Sequence, residues 1–156
     1  MINHNDLRHV IEESLVTNDL PWSESAVVLL QMTANHESLG GMYLRQVNGP
    51  AIGIYQMEPW VIDDCMKHCT TPFKFLRYRW SNDRHGKFLV VSDLETATCI
   101  ARAQYYRFSE ALPEPGDYEG MARYWKKYWN TELGKGTVEK FLKDNEGFIE
   151  WHKTLK

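Results

Sequence analysis

The chain has 156 residues, with 18 lysines and arginines, 21 aspartates and glutamates, and a formal net charge of −3. This length suits one domain with one core, and the ordinary apolar content excludes a disordered chain. The slight negative charge and the lack of a basic block argue against nucleic acid as a partner.

Cysteine usage and the N-terminal residues indicate in which compartment the protein is made and whether it carries disulfides or a metal site. Three cysteines, an odd number, argue against a disulfide framework. Cys65, His68 and Cys69 would share one helix face without a fourth ligand nearby, so we expect buried thiols, no metal and no cofactor. Residues 1–6 lack the basic and apolar regions of a secretory signal, and the apolar runs are too short to span a bilayer. We therefore expect synthesis in a cytoplasm and no membrane insertion.

The first two predicted helices lead to a candidate acid. Apolar residues at helical spacing predict a helix that ends before residue 18. Ser23 or Ser25 then caps a second helix over residues 26–34, which is apolar nearly all round, as in a buried helix. Its stripe of alanine and leucine side chains continues one turn later in Glu37. Desolvation there would raise the pKa of the carboxyl, as a general acid requires. The alternative is an exposed glutamate at the helix end, or one that caps a neighbouring loop.

The next stretch is irregular. Its glycines and Pro50 exclude a regular helix between residues 39 and 53. Residues 42–47 and 52–55 predict the two arms of a short β-hairpin with Asn48-Gly49 as its turn. Glu58-Pro59 then predicts a helix start, because proline fits the first turn and an acid suits its positive end.

The second half of the chain is predicted to be helical. Residues 72–80 predict a short helix or turn, and residues 81–86 a loop. Asp93 caps the clearest helix, whose apolar stripe runs to residue 112. A helix follows over residues 118–129, and Thr137 caps the last one, with a kink at Gly147. The expected fold class is mainly α, with a small β-hairpin region around residues 42–55, in a single domain over residues 1–156.

Two motifs in this order resemble those of the soluble lytic transglycosylases, a goose-lysozyme-like family that cleaves peptidoglycan. The motifs are Glu37-Ser38 and Gly53-Ile54-Tyr55-Gln56-Met57-Glu58-Pro59. Members carry a Glu-Ser pair at a helix end, a glycine-rich stretch and a Gly-Leu-Met-Gln-Leu-Met-Pro-like motif. A later Ala-Tyr-Asn motif has Ala122-Arg123-Tyr124-Trp125 in its place here. The resemblance spans roughly residues 25–128 and implies a lysozyme-like catalytic domain.

The resemblance also implies roles for individual residues. Glu37 would be the sole catalytic acid. The family's serine, substrate-contacting glutamine and tyrosine correspond to Ser38, Gln56 and Tyr124. Tyr55 and Glu58 are also expected to bind substrate. Three departures stand out: residues 48–52 replace the usual run of small residues, Glu58 replaces an apolar residue, and Trp125 replaces asparagine unless Asn130 supplies it.

The implied activity is cleavage of the β-1,4 bond between N-acetylmuramic acid and N-acetylglucosamine, with formation of 1,6-anhydro products. One alternative is a hydrolytic muramidase that uses Glu37 with Glu58, Asp63 or Asp64. A capping role for Glu58 is the interpretation favoured by Pro59. Another alternative is a cell-wall-binding or virion structural protein without turnover, and chitin is a second candidate substrate.

The expected partners are peptidoglycan glycan strands. We expect a monomer, free or attached to a phage particle. The sequence suggests a bacteriophage product, made in the host cytoplasm, that acts on the bacterial cell wall as a lysis enzyme or a virion component.

Overall fold

Helices dominate the computed structural model, which describes residues 1–155. The α-helices, numbered α1 to α8, are His4–Thr17, Glu24–Ser38, Pro59–His68, Arg84–Ser92, Leu94–Tyr106, Tyr118–Trp125, Val138–Asp144 and Glu146–Lys153. A 3₁₀ helix spans Phe73–Tyr78, and a π-helical segment spans Lys126–Asn130. The prediction of a mainly helical fold is confirmed. None of the helices within residues 1–155 has the length and apolar character needed to cross a membrane.

Helix α2 lies at the centre of the fold. Every residue from 26 to 35 is buried, and the helix packs against α1, α5, α6 and α7. Ser23 caps its start, since the hydroxyl accepts a hydrogen bond from the Ala26 amide at 3.1 Å. Leu39 ends it in a left-handed conformation (φ 51°, ψ 48°), and the Gly40 amide donates to the Ala34 carbonyl over 3.1 Å. Glu37 therefore lies in the last turn of the most buried helix.

The region around residues 42–55 differs from the expected hairpin. Isolated antiparallel bridges join Arg45 to Ile52 and Ile52 to Met57, without a continuous ladder within the described residues. The Asn48 turn forms as predicted, with φ 57°. A second turn follows at once over residues 53–56. Because the chain reverses twice within a few residues, neither arm is long enough to form a strand.

Helix α5 begins where the sequence predicts and ends earlier. The Asp93 carboxylate accepts from the Glu95 amide at 3.1 Å, which confirms the cap. The helix stops at Tyr106 and does not continue to residue 112. The chain turns there, and Phe108 stacks on Tyr128 with ring centroids 4.3 Å apart. The helix therefore ends well before Pro113, and Phe108, which was expected on its apolar stripe, packs against Tyr128 from the loop.

The structure differs from the sequence-based prediction at two further places. The expected loop over residues 81–86 contains the start of α4, whose cap Asp83 accepts from the Gly86 amide at 2.9 Å. The last helix is capped by Thr137 as predicted, but it is interrupted at Asn145 and not at Gly147. The buried Asn145 amide donates to the Met32 carbonyl at 3.1 Å and to the Phe141 carbonyl at 2.9 Å. These bonds tie the break between α7 and α8 to the central helix.

Candidate active site

A cleft of about 850 Å³ opens beside the C-terminal end of α2. Its walls come from the loop over residues 46–58, the first turns of α3, the end of α5, the π-helical segment and the loop after it. Glu37, Gln56, Glu58 and Asn130 all line it. The structure therefore brings together the two sequence motifs at one concave surface of the size that binds ligands.

The Glu37 carboxyl is held in this cleft by one tryptophan. Trp125 donates from its indole Nε1 to Glu37 Oε1 over 3.0 Å. The Trp125 ring is fully buried, stacks on Phe141 with centroids 4.6 Å apart, and meets the edge of His36 at 4.5 Å. These two neighbours leave the indole little freedom, so the position of its N–H group, and with it the Glu37 carboxyl, is well defined.

The surroundings of Glu37 alter its acidity. Burial raises the pKa of the carboxyl from 4.5 to about 7, and the hydrogen bond from Trp125 opposes that rise by favouring the charged form. A carboxyl with such a pKa holds its proton for part of the time near neutral pH. It can both donate a proton and, once ionised, accept one, which is the requirement for a single acid and base.

Two more carboxylates line the same cleft, Glu58 and Asp64. Asp64 Oδ2 accepts a hydrogen bond from Arg107 Nη2 at 2.7 Å, and this contact holds the pKa of Asp64 below its usual value. Asp63 is used elsewhere, because its Oδ1 accepts from Trp80 Nε1 at 2.7 Å. Asp63 is thus engaged in a structural contact outside the cleft, and Asp64 is ionised and paired.

Glu58 occupies the cap position of α3 without capping it through its side chain. Its backbone carbonyl accepts from the Val61 amide at 2.9 Å, and Pro59 follows in the first turn, so the helix start is confirmed. The side chain makes no hydrogen bond to the helix amides. The carboxylate instead accepts a hydrogen bond from the indole Nε1 of Trp60. Glu58 is thus the N-cap residue of α3, as predicted, but its side chain does not form the capping hydrogen bond.

Gln56 and Ser38 hold the local backbone. Gln56 lines the cleft in a left-handed conformation (φ 46°), and its Nε2 donates to the Gly53 carbonyl over 2.8 Å. A strained residue of this kind is common at functional sites. Ser38 is buried, donates to the Ala34 carbonyl over 3.0 Å and accepts from the Gly41 amide at 2.9 Å. Ser38 thus shapes the end of α2 behind Glu37 and does not line the cleft.

Tyr55 and Tyr124 lie in the core beside the cleft. The Tyr55 hydroxyl is 3.1 Å from Thr98 Oγ1, and the Tyr124 hydroxyl donates to the Glu110 carbonyl over 3.1 Å. Both side chains are buried and neither is among the cleft-lining residues. Trp125 and Asn130 were the two residues considered for the position of the asparagine in the motif that the sequence resembles. Trp125 contacts Glu37, whereas Asn130 lines the cleft and accepts a hydrogen bond from Lys126 Nζ at 2.7 Å.

Aromatic residues form much of the cleft wall, and sequence reasoning did not assign them to the site. Trp60, Phe108, Tyr128 and Trp129 line it. Tyr128 and Trp129 belong to the π-helical segment, a feature common at functional sites because it changes which side chains share a face. The high density of tryptophan and tyrosine in the second half of the sequence was the signal that could have assigned Tyr128 and Trp129 to the site.

The cysteines lie outside this site. Cys65, Cys69 and Cys99 are free thiols and all are buried. Across residues 1–155, no group of three or more histidine, cysteine, aspartate and glutamate side chains is arranged to hold a metal ion.

Comparisons with protein-family models, with curated proteins and with solved structures find no match to the chain. The geometry of the cleft and the motif resemblance are therefore the basis for assigning a function.

Proposed function

We propose that the protein cleaves peptidoglycan at the β-1,4 bond between N-acetylmuramic acid and N-acetylglucosamine, as a lytic transglycosylase of lysozyme-like fold. One observation carries the proposal: the half-buried Glu37 faces a cleft and has a pKa of about 7. The resemblance of Glu37-Ser38 and of residues 53–59 to the family motifs supports the choice of substrate.

The proposed reaction uses Glu37 twice. The neutral carboxyl first gives its proton to the leaving glycosidic oxygen, while the substrate's acetamido group assists at the anomeric carbon. The Glu37 carboxylate then takes the proton from the sugar's 6-hydroxyl as that oxygen bonds to the anomeric carbon. The 1,6-anhydro ring closes without water, and Glu37 recovers its proton. A pKa near the working pH suits both steps.

Trp125 would stabilise the negative charge that Glu37 carries between the two steps. After the first step Glu37 is an anion in a half-buried position, where an unpaired charge is costly. The indole Nε1–H group already lies 3.0 Å from Oε1 and needs no rearrangement. A donor fixed in advance lowers the free energy of the charged form at the moment when it is needed.

A second candidate is hydrolysis, because Glu58 lines the same cleft as Glu37. In that reaction a second carboxylate would position a water molecule for attack on the anomeric carbon. The product would then carry a reducing end in place of the anhydro ring.

Digestion of purified peptidoglycan followed by mass spectrometry tests both candidates. We expect anhydro products, lighter by one water than the reducing-end products of a hydrolase. Glu37→Gln should lower the rate by roughly 10²- to 10⁴-fold, the usual contribution of a general acid. Glu119→Gln removes an exposed glutamate that pairs with Arg123 on α6, and it is the matched control.

Two results would change the assignment. Reducing-end products mean hydrolysis and leave glycan cleavage in place. Equal, negligible release of products by the wild-type protein and by Glu37→Gln refutes an enzymatic function and favours a wall-binding protein.

A further inference from the structure

Trp60 is an unusually exposed aromatic residue at the mouth of the cleft. It lies in the first turn of α3, lines the cleft and is 64% exposed. Its indole N–H group already donates to the Glu58 carboxylate. Because the polar atom is satisfied within the protein, the part of the side chain left for a ligand is the flat apolar ring.

The contact between Glu58 and Trp60 is supported by the residue between them. Pro59 has a restricted backbone and starts α3, so the two side chains that flank it have a defined spacing. Glu58 makes no side-chain hydrogen bond to the helix end, which leaves its carboxylate available to Trp60. An exposed tryptophan fixed in this way has lost side-chain freedom before any ligand arrives, and ligand binding need not cost that entropy again.

We infer that Glu58 is a positioning residue that holds the Trp60 ring as a stacking subsite for one sugar ring of the glycan chain. The inference rests on the proposed function, from which it takes the class of substrate. A pyranose ring presents C–H groups on its face, and these fit the electron-rich face of an indole. Glu58 thus acts on substrate binding through Trp60, in contrast to a carboxylate that activates water.

Four variants separate these two roles. Trp60→Ala removes the ring, Glu58→Ala removes the acceptor of its N–H group, and Glu58→Gln keeps an acceptor oxygen but cannot act as a base. Trp22→Ala is the matched control, because Trp22 is 51% exposed and lies outside the cleft.

Steady-state kinetics on defined peptidoglycan glycan oligomers give the first readout. We expect Trp60→Ala and Glu58→Ala to raise KM by roughly 3- to 10-fold, the size of one aromatic contact, with little change in kcat. Glu58→Gln should recover most of the KM that Glu58→Ala loses, and Trp22→Ala should match the wild-type protein. Loss of kcat in Glu58→Gln at unchanged KM overturns the inference and assigns water activation to Glu58. An unchanged KM in Trp60→Ala overturns it as well.

The indole resonance of Trp60 in a ¹H–¹⁵N spectrum gives a second readout that does not depend on turnover. It is assigned by its absence in Trp60→Ala, and we expect it to move in Glu58→Ala and less in Glu58→Gln. Glycan oligomers added to wild-type protein should also shift it. If oligomers shift it but no product forms, catalysis is refuted and the subsite stands. If product forms without any shift, the subsite is refuted and the proposed function stands. Neither product nor shift refutes both.

Discussion

Replacing Glu37 with glutamine should stabilise the folded protein above pH 7 and leave its stability unchanged near pH 4. The folded carboxyl has a pKa of about 7 against an ordinary value of 4.5. Because the folded pKa is the higher one, protonation favours folding, and that contribution is lost as the pH rises from 4.5 through 7. The difference of about 2.5 pH units corresponds to roughly 3 kcal/mol. Glutamine stays neutral and keeps an oxygen that can accept from Trp125.

Urea unfolding of the wild-type protein and Glu37→Gln at pH 4 and pH 8 checks this value. We expect equal free energies of unfolding at pH 4, and a variant more stable by up to about 3 kcal/mol at pH 8. A difference that is the same at both pH values refutes the assigned burial of Glu37 and, with it, the raised pKa.

Glu24→Gln is a control for which we expect the opposite change in the free energy of unfolding at high pH. Arg8 donates to both Glu24 carboxylate oxygens at 2.7 Å and holds the pKa of Glu24 below its ordinary value. The charged carboxylate therefore stabilises the folded protein above its ordinary pKa, and this contribution is lost as the pH falls through the lowered folded pKa. Glu24→Gln should be less stable than the wild-type protein at pH 8, with a smaller difference at low pH.

Two further predictions concern the surroundings of the site. Trp125→Phe removes the donor to Glu37 and should raise the pKa of Glu37, moving the alkaline limb of the rate–pH profile upward by about 1–2 pH units. Trp22→Phe removes an exposed indole outside the cleft and should leave that limb in place. Burial raises the pKa of Cys65 and Cys99 to about 12, so a thiol-specific reagent should modify neither at neutral pH until the protein is unfolded. Rapid reaction of either thiol in the native protein contradicts its described burial.

Local sequence signals were enough for most helix starts. Ser23, Asp93 and Thr137 cap the helices that the sequence assigned to them. Each cap depends on a side chain and an amide two or three residues apart, so neighbouring residues determine it. The uniformly apolar pattern of α2 likewise predicted a central buried helix. The expected bacteriophage origin and cell-wall setting stay predictions.

Helix ends and irregular segments were less predictable. The apolar stripe of α5 continues past Tyr106, yet the helix stops there, where Phe108 stacks on Tyr128. The hairpin expected around residues 42–55 is reduced to isolated bridges by the turn at residues 53–56. The contact at the end of α5 comes from a residue 20 positions away in the chain. The turn at residues 53–56 is closed by hydrogen bonds between Gly53 and Gln56, and hydrophobic periodicity carries no signal of either feature.

The sequence by itself determined that Glu37 ends a buried helix on its apolar face and that Gln56 follows in a turn. These features depend on helical periodicity and on local turn chemistry, both of which act within a few residues. Only the tertiary structure decided which groups surround that carboxyl. It brings Trp125 to Glu37 across 88 residues of chain. Such contacts depend on how distant helices pack, because packing alone determines which side chains meet.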